Sequence, residues 1–125
     1  MPRDLIAPSY VDSAVITLLR QAQARVQRAW IQRTPVKVLS RWPRRIFAYC
    51  ASGAIAFDDE GKMLSTVSEL RYRATTMLTL AVCKLTNHKC IVGFNDDYYR
   101  TKEDIDLAYE IAIELQIRNE LGLVI

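Results

Sequence analysis

A chain of 125 residues, half of them apolar and a quarter charged, has the profile of one globular domain able to bury a core without disulfides or metal. No run of about 18 apolar residues occurs, which excludes a membrane-spanning helix. Glycine and proline, four each, are too scarce for an all-β fold built on tight turns. The N-terminus MPRDLIAPSY lacks the apolar core of a signal peptide. Three cysteines without a CxxC pair, beside a single histidine, suit reduced thiols in a cytoplasm and argue against zinc.

The net charge of +3 hides an asymmetry: residues 1–45 carry nine Lys/Arg against two Asp/Glu, and residues 96–114 carry seven Asp/Glu against two Lys/Arg. Two readings follow. The first and last helices face each other, within one chain or across a homodimer; or the basic segment presents a surface to nucleic acid or another acidic partner. The near balance of the two signs favours the first.

Residues 1–8 are a loose lead. From 10 to about 32 the spacing is helical, with Val11, Val15, Leu18, Leu19, Ala22, Val26, Ala29 and Trp30 on one face and Arg25 and Arg28 on the solvent side. Thr34 and Pro35 end it, because proline disfavours helical geometry in the residue before it. Residues 34–45 read as a basic loop. Pro43 suits a first helical turn, and Ile46, Phe47, Cys50, Ala51, Ala54, Ile55 and Phe57 predict a deeply buried helix over 43–57. Its narrow middle, Cys50 to Ala54, lets another element approach closely around Gly53.

Residues 58–62 (DDEGK) form a solvated turn rather than a calcium loop, since the ligand spacing is wrong. Thr66 and Glu69 form a capping-box pattern opening a third helix that runs to about 86. Its core face is Val67, Leu70, Ala74, Met77, Leu78, Ala81 and Leu85. Residues 90–94 (CIVGF) read as extended chain, and Asn95 and Asp96 as the corner that follows. Thr101 then caps the best-signalled helix, to about 117, with Ile105, Ala108, Ala112 and Leu115 inward, Tyr109 and Gln116 at the edge, and an acidic outer face. The tail over 119–125 frays or tucks into the core. The sum is a compact, mostly α bundle of about four helices with at most a small strand pair.

Cys50, His88 and Asn95 are the ingredients of a cysteine hydrolase or transferase. A nucleophilic thiol needs a lowered pKa, however, and Cys50 lies in an apolar run where burial raises it; a packed core cysteine is the default. His88, next to a helix end, suits a capping role. Neither GxxxxGK[ST] nor GxGxxG is present, and the tight turn of a helix-turn-helix is missing. Non-specific phosphate contact through Arg25, Arg28, Arg33, Arg41, Arg44 and Arg45 is the weakest of three functional expectations.

Three local patterns together resemble a small domain family of bacteria and their phages. They are Trp30 with Gln32; Cys50, Ala51, Gly53 and Ala54; and Phe94, Asn95 and Asp96 followed by Arg100, Thr101 and Asp104. The resemblance spans roughly residues 25–116 and departs from that family at Arg33, where glycine is more usual. It implies a shared fold and a shared corner, and supplies no reaction. The leading expectation is a non-enzymatic domain, without cofactor or metal, that binds another protein or a second copy of itself. The candidate surface is Trp42, Asn95, Asp96, Tyr98, Tyr99 and Arg100, since Tyr and Trp are enriched where proteins meet.

Overall fold

A computed structural model describes residues 10–65 and 68–123, with side chains from residue 14 onward. The lead over 1–8, the Thr66 cap and the last two residues lie outside the described residues. Three long helices make the bundle: α1 (Tyr10–Arg28), α3 (Ser68–Leu85) and α5 (Lys102–Glu120). Between α1 and α3 come a two-stranded antiparallel sheet, β1 (Val36–Ser40) and β2 (Ile46–Tyr49), and one helical turn, α2 (Gly53–Ala56). A second single turn, α4 (Ile91–Asn95), links α3 to α5. No described helix is long and apolar enough to cross a membrane.

All three long helices pack on one another, and the apolar stripes read from spacing form the shared core. Val15, Leu19, Ala22 and Val26 of α1, Ala74, Leu78, Ala81 and Val82 of α3, and Ile105, Ala112 and Tyr109 of α5 are fully buried. Tyr109 and Gln116, expected at the edge, are as deep as any of them. The helices at the two ends of the chain do face each other, but glutamine rather than arginine joins them. Gln23 donates to Glu110 at 2.9 Å and to Asp106 at 3.2 Å, and Gln27 to Asp106 at 2.6 Å.

Thr101 caps α5 as its sequence predicts: the Asp104 N–H donates to the Thr101 hydroxyl and the Thr101 N–H to the Asp104 carboxylate. At the other end, the N–H of Leu123 reaches Arg118 O and that of Gly122 reaches Asn119 O, with Gly122 at φ 73°. That is the left-handed glycine stop, and the described part of the tail stays outside the core, with Leu121 and Leu123 exposed.

Four local expectations fail: the helix over 43–57, the loop over 34–45, the extended chain over 90–94 and the solvent-facing Arg25. Residues 43–57 are not one helix, because Ile46, Phe47, Ala48 and Tyr49 form β2 and pair with β1 from Val36↔Tyr49 to Ser40↔Ile46. The β-branched Val36 and Val38 alternate half-buried with exposed neighbours, which suits a strand better than the loop read there. Backbone on the other side of β2 settles its state: Tyr49 N–H donates to Ala29 O at 3.0 Å, and Ile31 N–H to Tyr49 O at 3.1 Å. A helix could not satisfy both neighbours. Residues 90–94 are helical, not extended. Cys90 caps them, its Sγ accepting the Gly93 N–H at 3.3 Å, and burial of Ile91 and Phe94 with Val92 exposed follows a helical step of three. Arg25, expected in solvent, is 4 % exposed and donates to Ala54 O at 2.7 Å and Asp59 at 2.8 Å.

Arg33 has φ 68°, in the left-handed region that costs an L-residue about 1–2 kcal/mol. Glycine there sheds that cost and gives back roughly 0.5–1 kcal/mol in unfolded-chain entropy. Arg33→Gly should therefore be neutral or stabilise by up to about 1 kcal/mol. A urea titration checks it; a clear loss of stability would mean that the Arg33 side chain holds the connector.

Candidate functional site

Asn95 is the point on which the small end of the molecule closes. It sits at the end of α4, 1 % exposed, and its amide meets the two other segments of that end. Its Oδ1 accepts from Trp30 Nε1 at 2.7 Å and from the Ala51 N–H at 2.8 Å. Its Nδ2 donates to Ile31 O at 3.1 Å and Asp96 Oδ1 at 3.0 Å. Both lone-pair positions and both protons of the amide are thereby used. Gln32 fastens the same corner from outside, donating to the carbonyls of Asn95 at 2.9 Å and Asp97 at 2.8 Å. The Arg33 N–H donates to Asp96 Oδ1 at 2.8 Å. Three stretches that look unrelated in sequence, around Trp30, Cys50 and Asn95, thus meet at one amide.

Underneath, the segment from Cys50 to Ala54 is held by groups from the helices. Tyr109 donates its hydroxyl proton to Ala51 O, and burial pushes that phenol well above its ordinary pKa. Gly53 lies against the backbone of Pro35, the residue before β1: a Cβ added to it would stand 1.9 Å from Pro35 O. Small residues here let a backbone in, as the sequence suggests.

A cavity of about 120 Å3 opens beside this knot, walled by Arg33, Thr34, Pro35, Cys50, Ser52, Val92, Asn95 and Asp96. It is room for one small side chain or a few waters. Cys50 precedes α2 rather than lying two turns into a helix. Its Sγ accepts the Gly53 N–H at 3.2 Å and lies 3.3 Å from Ser52 Oγ. Cys50 and Asn95 therefore share a wall, whereas His88 is engaged elsewhere. Its Nε2 donates to Asp97 Oδ2 at 3.0 Å. That bond, then the Tyr99 N–H at 3.0 Å, holds the Asp97 carboxyl below the usual range despite some desolvation. The other ring nitrogen of His88 and the Cys90 thiol flank Gly93, each about where a Cβ there would touch. Spacing gave no hint that the histidine belongs with Asp97 and Cys90.

Of the surface candidates, Tyr98, Tyr99 and Trp42 are more than four-fifths exposed. The tyrosine rings meet edge to face with centroids 5.0 Å apart. Trp42 belongs to the turn between β1 and β2, and neither it nor Trp30 lines the cavity beside Asn95. Arg100 is committed to the fold: its Nε donates to Phe94 O at 2.8 Å and its guanidinium lies 4.0 Å from the Phe94 ring centre. The basic residues do not form one patch. Arg25 and Arg28 both bind Asp59 at 2.8 Å, Arg33 borders the small cavity, and Arg41, Arg44 and Arg45 sit on the hairpin turn. For Asp59, burial alone raises the carboxyl pKa, and the two arginines outweigh it to give a net lowering. Among the described residues no group of three His, Cys, Asp or Glu converges for a metal.

Comparison with family models, curated proteins and solved structures finds no match to this chain.

Proposed function

We propose that the chain is a protein-binding domain that receives its partner at the loop between α4 and α5, around Tyr98 and Tyr99. One observation carries the reading: two adjacent tyrosines stand in solvent on a loop that is itself fixed. Gln32 holds Asp97 O, the Asp97 carboxylate takes the Tyr99 N–H, and Arg100 N–H returns to Asp97 O at 3.0 Å. Apolar rings kept in water by a rigid frame lose little conformational freedom when covered, which is the condition for a binding hot spot. The cavity begins at Asp96, two residues before Tyr98, and Val92, also exposed, forms part of its wall. A partner covering the tyrosines therefore finds a recess for one small apolar side chain alongside.

Peptides selected for binding by display on the intact chain supply the test. Tyr98→Ala/Tyr99→Ala should weaken the selected peptides by about 30-fold or more, the effect of losing roughly 2 kcal/mol at a hot spot. Tyr72→Ala, at an exposed tyrosine of α3, should leave them unchanged. Sedimentation at rising concentration decides whether a second copy is the partner, in which case the double variant stays monomeric. Peptides that bind wild type and double variant equally, with no self-association, would remove the surface from consideration.

A further inference from the structure

We infer that the cleft between the β1–β2 hairpin and the end of α1 is a binding site for a phosphate monoester carried on a flat ring. The cleft has a volume of about 470 Å3, within the range of small-ligand sites, and shares no lining residue with the cavity beside Asn95. Three guanidinium groups border it, from Arg28, Arg44 and Arg45, against one carboxylate, Asp59. That carboxylate is ion-paired: its Oδ1 takes both the buried Arg25 and the exposed Arg28 at 2.8 Å. Arg44 and Arg45 make no hydrogen bond or ion pair with any other described residue. With Arg25 and Asp59 cancelling, three positive charges remain, and the complement is a dianion.

A guanidinium fork takes two oxygens at a time, and a phosphate monoester presents three oxygens and two charges to the three guanidiniums, where a carboxylate presents two oxygens and one charge. The rest of the wall adds the second half of the ligand. Ile46, Phe47 and Tyr49 line the cleft; Tyr49 is buried with its hydroxyl turned to Asp58 O, so the apolar surface open to a ligand comes from Ile46 and Phe47. Phe47 is seated on the turn over 58–62: Gly61, at φ 74°, has no Cβ, and one built there would stand 2.5 Å from the ring. The volume exceeds what a bare phosphate fills, and its apolar side suits a ring. A mononucleotide and a phosphotyrosyl group share that chemistry.

Calorimetric titration of the intact chain with inorganic phosphate, adenosine 5′-monophosphate and O-phosphotyrosine amide tests the site. At least one of the two ring-bearing esters should bind about tenfold or more tighter than inorganic phosphate, and which one it is names the source. Arg44→Ala/Arg45→Ala, confined to an exposed turn, should weaken that ester about tenfold or more. Ile46→Ala should reduce the preference over inorganic phosphate. Three results would overturn the assignment: esters binding no better than phosphate or sulfate, binding untouched by the arginine variant, or a duplex DNA that outcompetes both esters with a steep salt dependence.

Discussion

Replacing Gly53 with alanine should destabilise the protein by upward of about 3 kcal/mol, although alanine is the better helix former by roughly 1 kcal/mol. The position is helical with no left-handed φ, so conformational freedom does not explain the glycine. Space does. The new Cβ would sit 1.9 Å from Pro35 O, and 2.6 Å from its carbonyl carbon, and both belong to backbone. That same oxygen accepts the Cys50 N–H at 3.0 Å, so the hairpin cannot withdraw from Gly53 without giving up the bond that attaches it to the start of α2. Overpacking against a flexible side chain relaxes by a rotamer change; against a carbonyl it moves a strand. A urea midpoint well below that of the parent is the expected reading, with weaker amide-exchange protection along β1. A variant as stable as the parent would show that the strand shifts freely there.

What the sequence makes legible depends on whether the signal is local. The helices α1, α3 and α5 each carry a long apolar stripe, and α5 carries its own cap, so their state is decided by residues within one helical turn. The hairpin is decided elsewhere. Ile46, Phe47, Ala48 and Tyr49, followed by Cys50, Ala51, Gly53 and Ala54, read as one buried helix because an apolar run of that length has no preferred period. Its first half becomes a strand only because β1 lies on one side and residues 29–31 on the other. Those partners are remote in sequence or require a reversal at Trp42 and Pro43 to be brought near. The error over 90–94 has a different origin: β-prone residue types outweigh a cap supplied by a cysteine sulfur, a weak acceptor that few N-terminus patterns include.

The candidate site follows the same division. The importance of Asn95 and of the small residues around Gly53 is visible in the sequence; their relation is not, because the asparagine pairs with residues 65 and 44 positions earlier. The arginines show the converse. A count of charges presents six of them as one basic face, whereas folding buries one, neutralises part of another with Asp59 and strands the remainder on two surfaces. Charge totals along a chain describe a field only after the chain has been folded.

Asn95→Ala should cost about 3–5 kcal/mol, a large part of the 5–15 kcal/mol that holds a domain of this size together. Truncation leaves the Trp30 indole N–H, the Ala51 N–H and the Ile31 carbonyl without the partners they have in the folded protein. Each such group costs roughly 1–3 kcal/mol when buried, and the total stays below the simple sum because water from the adjoining cavity can reach some of them. Asn95→Asp separates hydrogen bonding from shape. The carboxylate can still accept from Trp30 and Ala51, but it has nothing to donate to Ile31 O and it repels Asp96, which the amide now binds at 3.0 Å. Protonation restores a donor. The Trp30 and Ala51 N–H donors lower the pKa of that introduced acid, but burial, the neighbouring Asp96 and the Ile31 carbonyl that only the protonated form can satisfy outweigh them and raise it above its unfolded value. Its deficit relative to wild type is therefore present at neutral pH and shrinks as pH falls through the raised pKa. Urea titrations of the parent and both variants from neutral to mildly acid pH read out this difference directly. A deficit for Asn95→Asp that does not change with pH, or an Asn95→Ala variant within about 1 kcal/mol of the parent, would mean that the three segments are held together by packing and not by the amide.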